Sequence, residues 1–446
     1  MAKRLKCGFL FNSRDGSVTE RATITIDGDL VRYAGPAANA PPAERGDEEI
    51  DYSSNFIMPG LVDVHTHLAY GNAKTQEDID LYASMEFRTL RGLFFAQRVL
   101  AAGYTSLCAP GDAGHISTAI RDAIAAGLFV GPRVTAAGPY LTNRLSLTDW
   151  YPTWIGVPET AIARLVQGQD EALAEIRRQV KDGVDCIKIA MDGRITRPNG
   201  ELVAAFDQQE LNAMVGEAHR LGRKVIVHAR GREAVLYSAR AGVDLIFHAS
   251  MMDDEGLEWV LKNKCAISPT LTFLRHSIDF TRDTDPTAKR GRREASTREF
   301  ECACVTLSKA HKAGVPLMTG TDSGFAITPY GEWHAREPEI FVNYLGLTPA
   351  EALMSATAVS AKFLREGEQS GVLEAGRHAD LVVLNGNPLK DISMLLARSN
   401  IRAVYAGGRL VEISDHAYEP KKVSDFAYTW WTDLYTRDRV KELALK

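Results

Sequence analysis

His65 and His67 stand two apart in the run Met58-Pro59-Gly60-Leu61-Val62-Asp63-Val64-His65-Thr66-His67. On a β-strand that spacing puts both imidazoles on one face, where together they can grip a single metal ion. Two more histidines close apolar runs, His228 after Val225-Ile226-Val227 and His248 after Leu245-Ile246-Phe247, and an acid, Asp322, follows Thr319-Gly320-Thr321. One buried histidine alone is more often an ordinary core residue. Four of them at the ends of apolar runs, with an aspartate completing the ring, point instead to a metal centre. Lys188 is the odd member of the set, an ammonium inside Cys186-Ile187-Lys188-Ile189-Ala190. Its charge is costly in an apolar core and would repel a metal held beside it. Burial lowers a lysine's pKa, and a neutral amine can add carbon dioxide to give a carbamate, an anion whose two oxygens can bridge two cations. The plain alternative is a lysine that snorkels out to water.

These residues need a scaffold that brings distant strand ends together. Through the middle of the chain, short β-branched runs alternate with amphipathic helical stretches, which argues for parallel βα units. Eight candidate strands fall at 60–64, 104–109, 133–137, 185–190, 224–228, 244–248, 265–270 and 315–320. Helical stretches follow, among them 208–221, 253–263 capped by Asp253 or Asp254, and 348–364, where Thr348-Pro349-Ala350-Glu351 is a capping box with proline at the first helical position. Eight such units predict an α/β fold of the (β/α)8 TIM barrel type, with the polar strand ends gathered at its C-terminal mouth. Two connections are longer than usual, 138–170 after strand 3 and 271–296 after strand 7, and are expected to supply substrate walls and a lid. Outside the barrel, 22–26 and 30–34 flank an Asp27-Gly28-Asp29 hairpin turn, and strand patterns return at 379–384 and 403–410. The expected organisation is a composite β-sandwich from 1–57 and 371–415, a metal-dependent barrel inserted at 58–370, and a helical tail at 416–446 whose Trp430-Trp431 packs on the barrel or on a neighbouring subunit.

The 446 residues leave room for a barrel of about 250 residues and a second unit. A net formal charge of −5 without any basic run argues against nucleic acid as a partner, and neither a membrane-binding patch nor a spanning segment is expected. The basic N-terminus precedes an apolar stretch, residues 7–11, that is too short for a signal peptide. Of the six cysteines only Cys302 and Cys304 are close, at a spacing foreign to zinc ligands. A cytoplasmic protein with reduced thiols and a small-molecule substrate is predicted.

The segments Met58 to His67, Thr319-Gly320-Thr321-Asp322-Ser323-Gly324 and Ala375-Gly376-Arg377-His378-Ala379-Asp380-Leu381-Val382-Val383-Leu384 resemble the amidohydrolase superfamily. Within it they are most similar to the branch around imidazolonepropionase, which includes Xaa-Pro and Xaa-Arg dipeptidases, ochratoxin-cleaving amidases, and hydrolases of phenylureas and thiocarbamates. The similarity spans roughly residues 20–410. The resemblance implies that His65, His67 and Asp322 bind a first divalent ion, that His228 and His248 bind a second, and that carboxylated Lys188 bridges both. Zinc is the usual metal of such proteins and a homo-oligomer a common assembly. A metal-bridging hydroxide is then the attacking group, and Asp322 passes its proton to the leaving nitrogen.

Two stretches depart from the dipeptidase pattern. After strand 3 the sequence reads Gly138-Pro139-Tyr140-Leu141-Thr142-Asn143-Arg144-Leu145 and continues to Trp150 and Trp154, and beyond strand 5 it reads His228-Ala229-Arg230. An aromatic wall of Tyr140, Trp150 and Trp154 suits an amide, carbamate or urea with an aromatic or bulky apolar group better than a short polar peptide. Arg230 is expected to meet either a substrate carboxylate or carbonyl, or a loop acid. Trp333 and His334 are expected either to line the pocket or to pack. His115 is either a mouth residue or an exposed loop histidine. Three rival functions stay open: a dipeptidase or N-acyl amino acid hydrolase of the same branch, a mononuclear heteroaromatic deaminase, and a non-catalytic scaffold. Lys188 speaks against the deaminase, and six filled ligand positions speak against the scaffold.

Overall fold

The computed structural model describes residues 2–193, 195–283 and 287–413, together with Val440 and Glu442. The tail expected at 416–446, Trp430 and Trp431 included, lies outside the described residues. Four strands open the chain: β1 (Lys3–Phe11), β2 (Val18–Asp27), β3 (Leu30–Pro36) and β4 (Glu48–Pro59). The β2–β3 turn is the expected one, with Asp27 opposite Leu30 and Gly28 at φ +61°, a backbone that glycine adopts without strain. Strands then alternate with helices as β5 (Leu61–Asp63), β6 (Tyr104–Ala109), β7 (Arg133–Ala136), β8 (Tyr140–Thr142), β9 (Ala163–Leu165), β10 (Cys186–Ala190), β11 (Lys224–Ala229), β12 (Leu245–His248) and β13 (Ala266–Ser268). The last three strands are β14 (Leu381–Leu384), β15 (Ile401–Ala406) and β16 (Arg409–Leu410).

Pairing of β14 on β4, from Leu381 with Pro59 to Leu384 with Phe56, joins the two ends of the chain in one seven-stranded sheet ordered β16-β15-β14-β4-β1-β2-β3. Leu5, Ile24, Ile26, Ile57, Leu381, Val383 and Tyr405 form one buried cluster on it. Each such side chain taken out of water contributes about 1.5–3 kcal/mol, which is what draws strands so distant in sequence together.

β5 to β13 pair in parallel as two sheets, β5-β6-β7 and β13-β12-β11-β10-β8-β9. Backbone bonds continue past the ends of both. Asp185 N donates to Ala136 O (2.8 Å), Met318 N to Ile267 O (2.8 Å) and Val64 N to Thr319 O (2.9 Å). This is a TIM-barrel-type α/β fold, and Val62, Val64, Ile226, Leu245 and Phe247 share one buried cluster.

Three expectations need correction. Strand 3 does not end at 137; it breaks at Gly138-Pro139, where proline offers no N–H, and resumes as β8 against β10, so Tyr140 stands on a strand and not in a wall loop. The segment 315–320 is not a regular strand, because Pro316 lacks a donor; two backbone bonds with Ile267 and one with Val64 hold it instead. The supposed loop 271–296 is largely helical, as Leu271–Asp279 and Thr287–Lys312. Helix starts follow the sequence: Asp253 Oδ1 accepts from Gly256 N (2.8 Å), and Thr348 with Glu351 closes the capping box. Among the described residues no helix is long and apolar enough to cross a membrane, and the six cysteines are free thiols.

Gly60, between β4 and β5, is set by close approach. A Cβ there would lie 2.0 Å from Thr105 Oγ1 and 2.4 Å from Thr105 Cγ2 on β6. Gly60→Ala is therefore expected to cost about 1–3 kcal/mol of stability, read as a lower urea midpoint. An unchanged midpoint would mean that β5 and β6 can part freely.

Candidate active site

The chain leaves β5 into His65 and His67, both buried. Their Nε2 atoms lie 3.1 Å apart, and Asp322 Oδ1 is 3.3 Å from the first and 3.2 Å from the second. The outer ring nitrogens are anchored. His67 Nδ1 donates to Gly111 O (3.0 Å), and His65 Nδ1 to Thr270 Oγ1 (3.1 Å), whose own hydrogen goes to Ser268 O. Burial holds the His65 pKa well below its ordinary value, so that ring is neutral. With hydrogens on the Nδ1 atoms, both Nε2 atoms present lone pairs toward each other and toward a carboxylate oxygen. Three acceptors so crowded repel unless a cation sits among them, and His65, His67 and Asp322 form the metal-holding cluster of the described residues.

A second pair lies alongside. His248 Nε2 is 3.0 Å from His228 Nδ1, and the His65 and His248 ring centroids are 5.7 Å apart. Burial lowers the pKa of both His228 and His248, leaving them neutral and fit to be ligands. Lys188, from β10, is fully buried; its Nζ has no hydrogen-bond partner and lies 3.8 Å from the Phe247 ring centroid and 5.3 Å from that of Tyr140. Burial brings its pKa down to about 7, against the opposing pull of Asp322. An orphaned, half-neutral amine among imidazoles is the state that carbamate formation requires.

Backbone strain aims these groups. His248, Thr270 and Asp322, at the ends of β12, β13 and the eighth segment, have φ of +73°, +56° and +56°. Left-handed non-glycine residues cost about 1–3 kcal/mol each and gather where function demands a direction.

Residues 56–411 match the amidohydrolase family. The chain belongs to that family. Its members are hydrolases of C–N bonds that use divalent metals, and the expected branch is represented among the relatives. The chain is 28% identical over 425 residues to ochratoxinase of Aspergillus niger, covering 89% of this chain and 84% of that one. It is 24% identical over 408 residues to imidazolonepropionase of Xanthomonas campestris pv. campestris, with 82% and 88% covered. A crystal structure of a Xaa-Pro dipeptidase with methionine in its active site superposes with a TM-score of 0.80 at 28% identity, over 92% of this chain and 99% of that one.

Around the amidohydrolase centre the expected pocket is rearranged. Tyr140 does reach it, with its hydroxyl 3.1 Å from His67 Nε2. Trp154 does not, being 85% exposed, and Trp150 is turned aside to donate from Nε1 to Asp80 Oδ2 (2.8 Å). Arg230 meets an acid, Glu299 Oε1 at 2.9 Å, on the helix Thr287–Lys312. His334 has both ring nitrogens engaged, Nδ1 with Asp63 Oδ2 (2.7 Å) and Nε2 accepting from Gly331 N (3.0 Å), which leaves none for substrate. Trp333 packs on His276, with ring centroids 4.9 Å apart, and His115 is exposed at a helix start. Sequence reasoning missed Tyr70, whose ring stacks on His67 at 4.2 Å, and Asp192, which lies 3.3 Å from His228 Nε2. It also gave no task to Asp63, which accepts from His65 N (2.8 Å) and Thr321 Oγ1 (2.6 Å) and so ties the two halves of the first cluster together.

Proposed function

We propose that this amidohydrolase holds two divalent ions, zinc in the first instance, and hydrolyses an amide, carbamate or urea that bears an aromatic or bulky apolar group. His65, His67 and Asp322 would hold one ion, His228 and His248 the other, and Lys188, as its carbamate, both. The observation that carries this reading is the convergence of lone pairs at His65 Nε2, His67 Nε2 and Asp322 Oδ1, beside a buried Lys188 Nζ with no partner. Bound there, divalent ions lower the pKa of water toward neutrality and polarise a carbonyl. Asp322 takes the proton of the attacking water and returns it to the leaving nitrogen, without which an amine leaves poorly. The Tyr140 hydroxyl brings a donor to the same point, and its ring, with that of Tyr70, supplies an apolar face for the substrate. The same reading closes the eight parallel segments into one barrel, inserted in a composite β-sandwich of 1–57 and 371–415, and makes the protein a cytoplasmic homo-oligomer.

Metal analysis is expected to give two ions per chain, and chelation to abolish a turnover that added zinc restores. In a substrate panel, aryl amides, arylureas and carbamates are expected to react faster than Xaa-Pro dipeptides and N-acyl amino acids. Turnover confined to dipeptides would reject the aryl preference. One tight ion in a chain that stays active as Lys188→Ala would reject the two-ion centre.

A further inference from the structure

Asp192 lies two residues beyond β10, fully buried, and its carboxylate is pinned in one rotation. Oδ2 accepts from Arg230 N (2.8 Å) and from Gly231 N (2.7 Å), the two residues that follow β11. Backbone amides can only donate, so the oxygen they hold cannot be exchanged for a donor. The other oxygen, Oδ1, therefore faces His228 Nε2, at 3.3 Å. No other group bonds to Oδ1, and a carboxylate oxygen only accepts, so this contact favours the imidazole hydrogen on Nε2 and the lone pair on Nδ1, the nitrogen 3.0 Å from His248 Nε2.

We propose that Asp192 is a positioning residue for the second ion: it holds His228 in the Nε2–H tautomer and so keeps Nδ1 open beside His248. The consequence for metal rests on the two-ion reading above, whereas the tautomer is a property of the chain alone. His228 cannot choose the opposite form cheaply, because Nε2 would then turn a lone pair toward Oδ1 in a buried site. β10 and β11 are neighbours, and Asp192 carries the coupling between them from the backbone of 230–231 to the ring of His228. A carboxylate that faces the outer nitrogen of a ligand ring favours one tautomer and one orientation of that ring.

Asp192→Asn makes the proposal testable, because the two side chains have the same shape. The asparagine oxygen has to stay on the amides of Arg230 and Gly231, so its NH2 falls against His228 Nε2 and forces the hydrogen to Nδ1. Nitrogen-15 spectra of metal-free, histidine-labelled protein, with the His228 signals assigned by their loss in His228→Gln, are expected to show the Nε2–H tautomer in the natural chain and Nδ1–H in Asp192→Asn. Zinc titration of the variant is expected to keep one ion and to weaken the other about 10–100-fold. An Nδ1–H tautomer in the natural chain, or an unchanged tautomer and unchanged zinc binding in Asp192→Asn, would overturn the proposal. If the natural chain has the expected tautomer yet binds a single zinc, the two-ion reading fails while the hold of Asp192 on His228 stands.

Discussion

Replacing Lys188 by methionine is expected to lower kcat on the order of 10³-fold or more, equivalent to about 4 kcal/mol of lost barrier reduction, while the fold becomes no less stable. The two effects run in opposite directions because, on the proposed reading, Lys188 serves chemistry at the expense of packing. Its Nζ is buried without a partner, and burial takes its pKa from 10.5 to about 7. Between those values the unfolded chain binds the proton and the folded chain does not, so in metal-free protein stability rises with pH across that window. Below it, the buried charge costs a few kcal/mol, roughly in proportion to the shift. Methionine fills a similar volume with no charge and removes that cost. Thermal melts of metal-free protein at pH 6 and pH 9 are expected to differ less for Lys188→Met than for the natural chain. Acetate or a similar small carboxylate is expected to restore part of the activity in Lys188→Ala, where space is left for two oxygens. Full activity in the methionine variant would reduce Lys188 to a packing residue.

The legible part of this protein is the part written in strand periodicity. His65, His67, His228 and His248 each stand at or within two to four residues of a strand end, a position that fixes direction without knowledge of the neighbours. The terminal strands could be recognised separately for the same reason, though only the structure pairs β14 with β4. What escaped depends on partners far away in sequence. Asp192 lies past its strand, in Met191-Asp192-Gly193, and its role exists only because the amides of Arg230 and Gly231 arrive beside it. Trp150 and Trp154 share a segment with Tyr140, yet loop side chains are aimed by packing and not by period, so one bonds to Asp80 and the other faces water. Gly138-Pro139 reads as a strand end, and only the pairing of Leu141 with Ile189 reveals a break within one strand. Pro316 had the opposite effect: the apolar run around it reads as a strand that its missing donor keeps from forming a full ladder.

Asp322→Asn is expected to cut kcat by about 10²–10⁴-fold with little change in KM, and the choice of asparagine is part of the argument. Asp322 sits at φ +56°, where asparagine is tolerated and alanine adds about 1–2 kcal/mol of strain, so an alanine variant would confuse lost chemistry with a displaced backbone. Asparagine keeps an oxygen that can stand near His65 and His67 Nε2, as Oδ1 does now at 3.3 and 3.2 Å. It loses the negative charge, and it cannot accept a proton from water and hand it on. The deficit should therefore fall on the transition state and leave the bound ground state nearly untouched. Substrates whose leaving group needs no protonation, such as nitrophenyl carbamates that break to a phenolate, are expected to suffer less than anilides. An equal loss for both classes would show that Asp322 acts only by holding metal and moves no proton. A kcat within tenfold of the natural chain on anilides would remove it from the chemistry altogether.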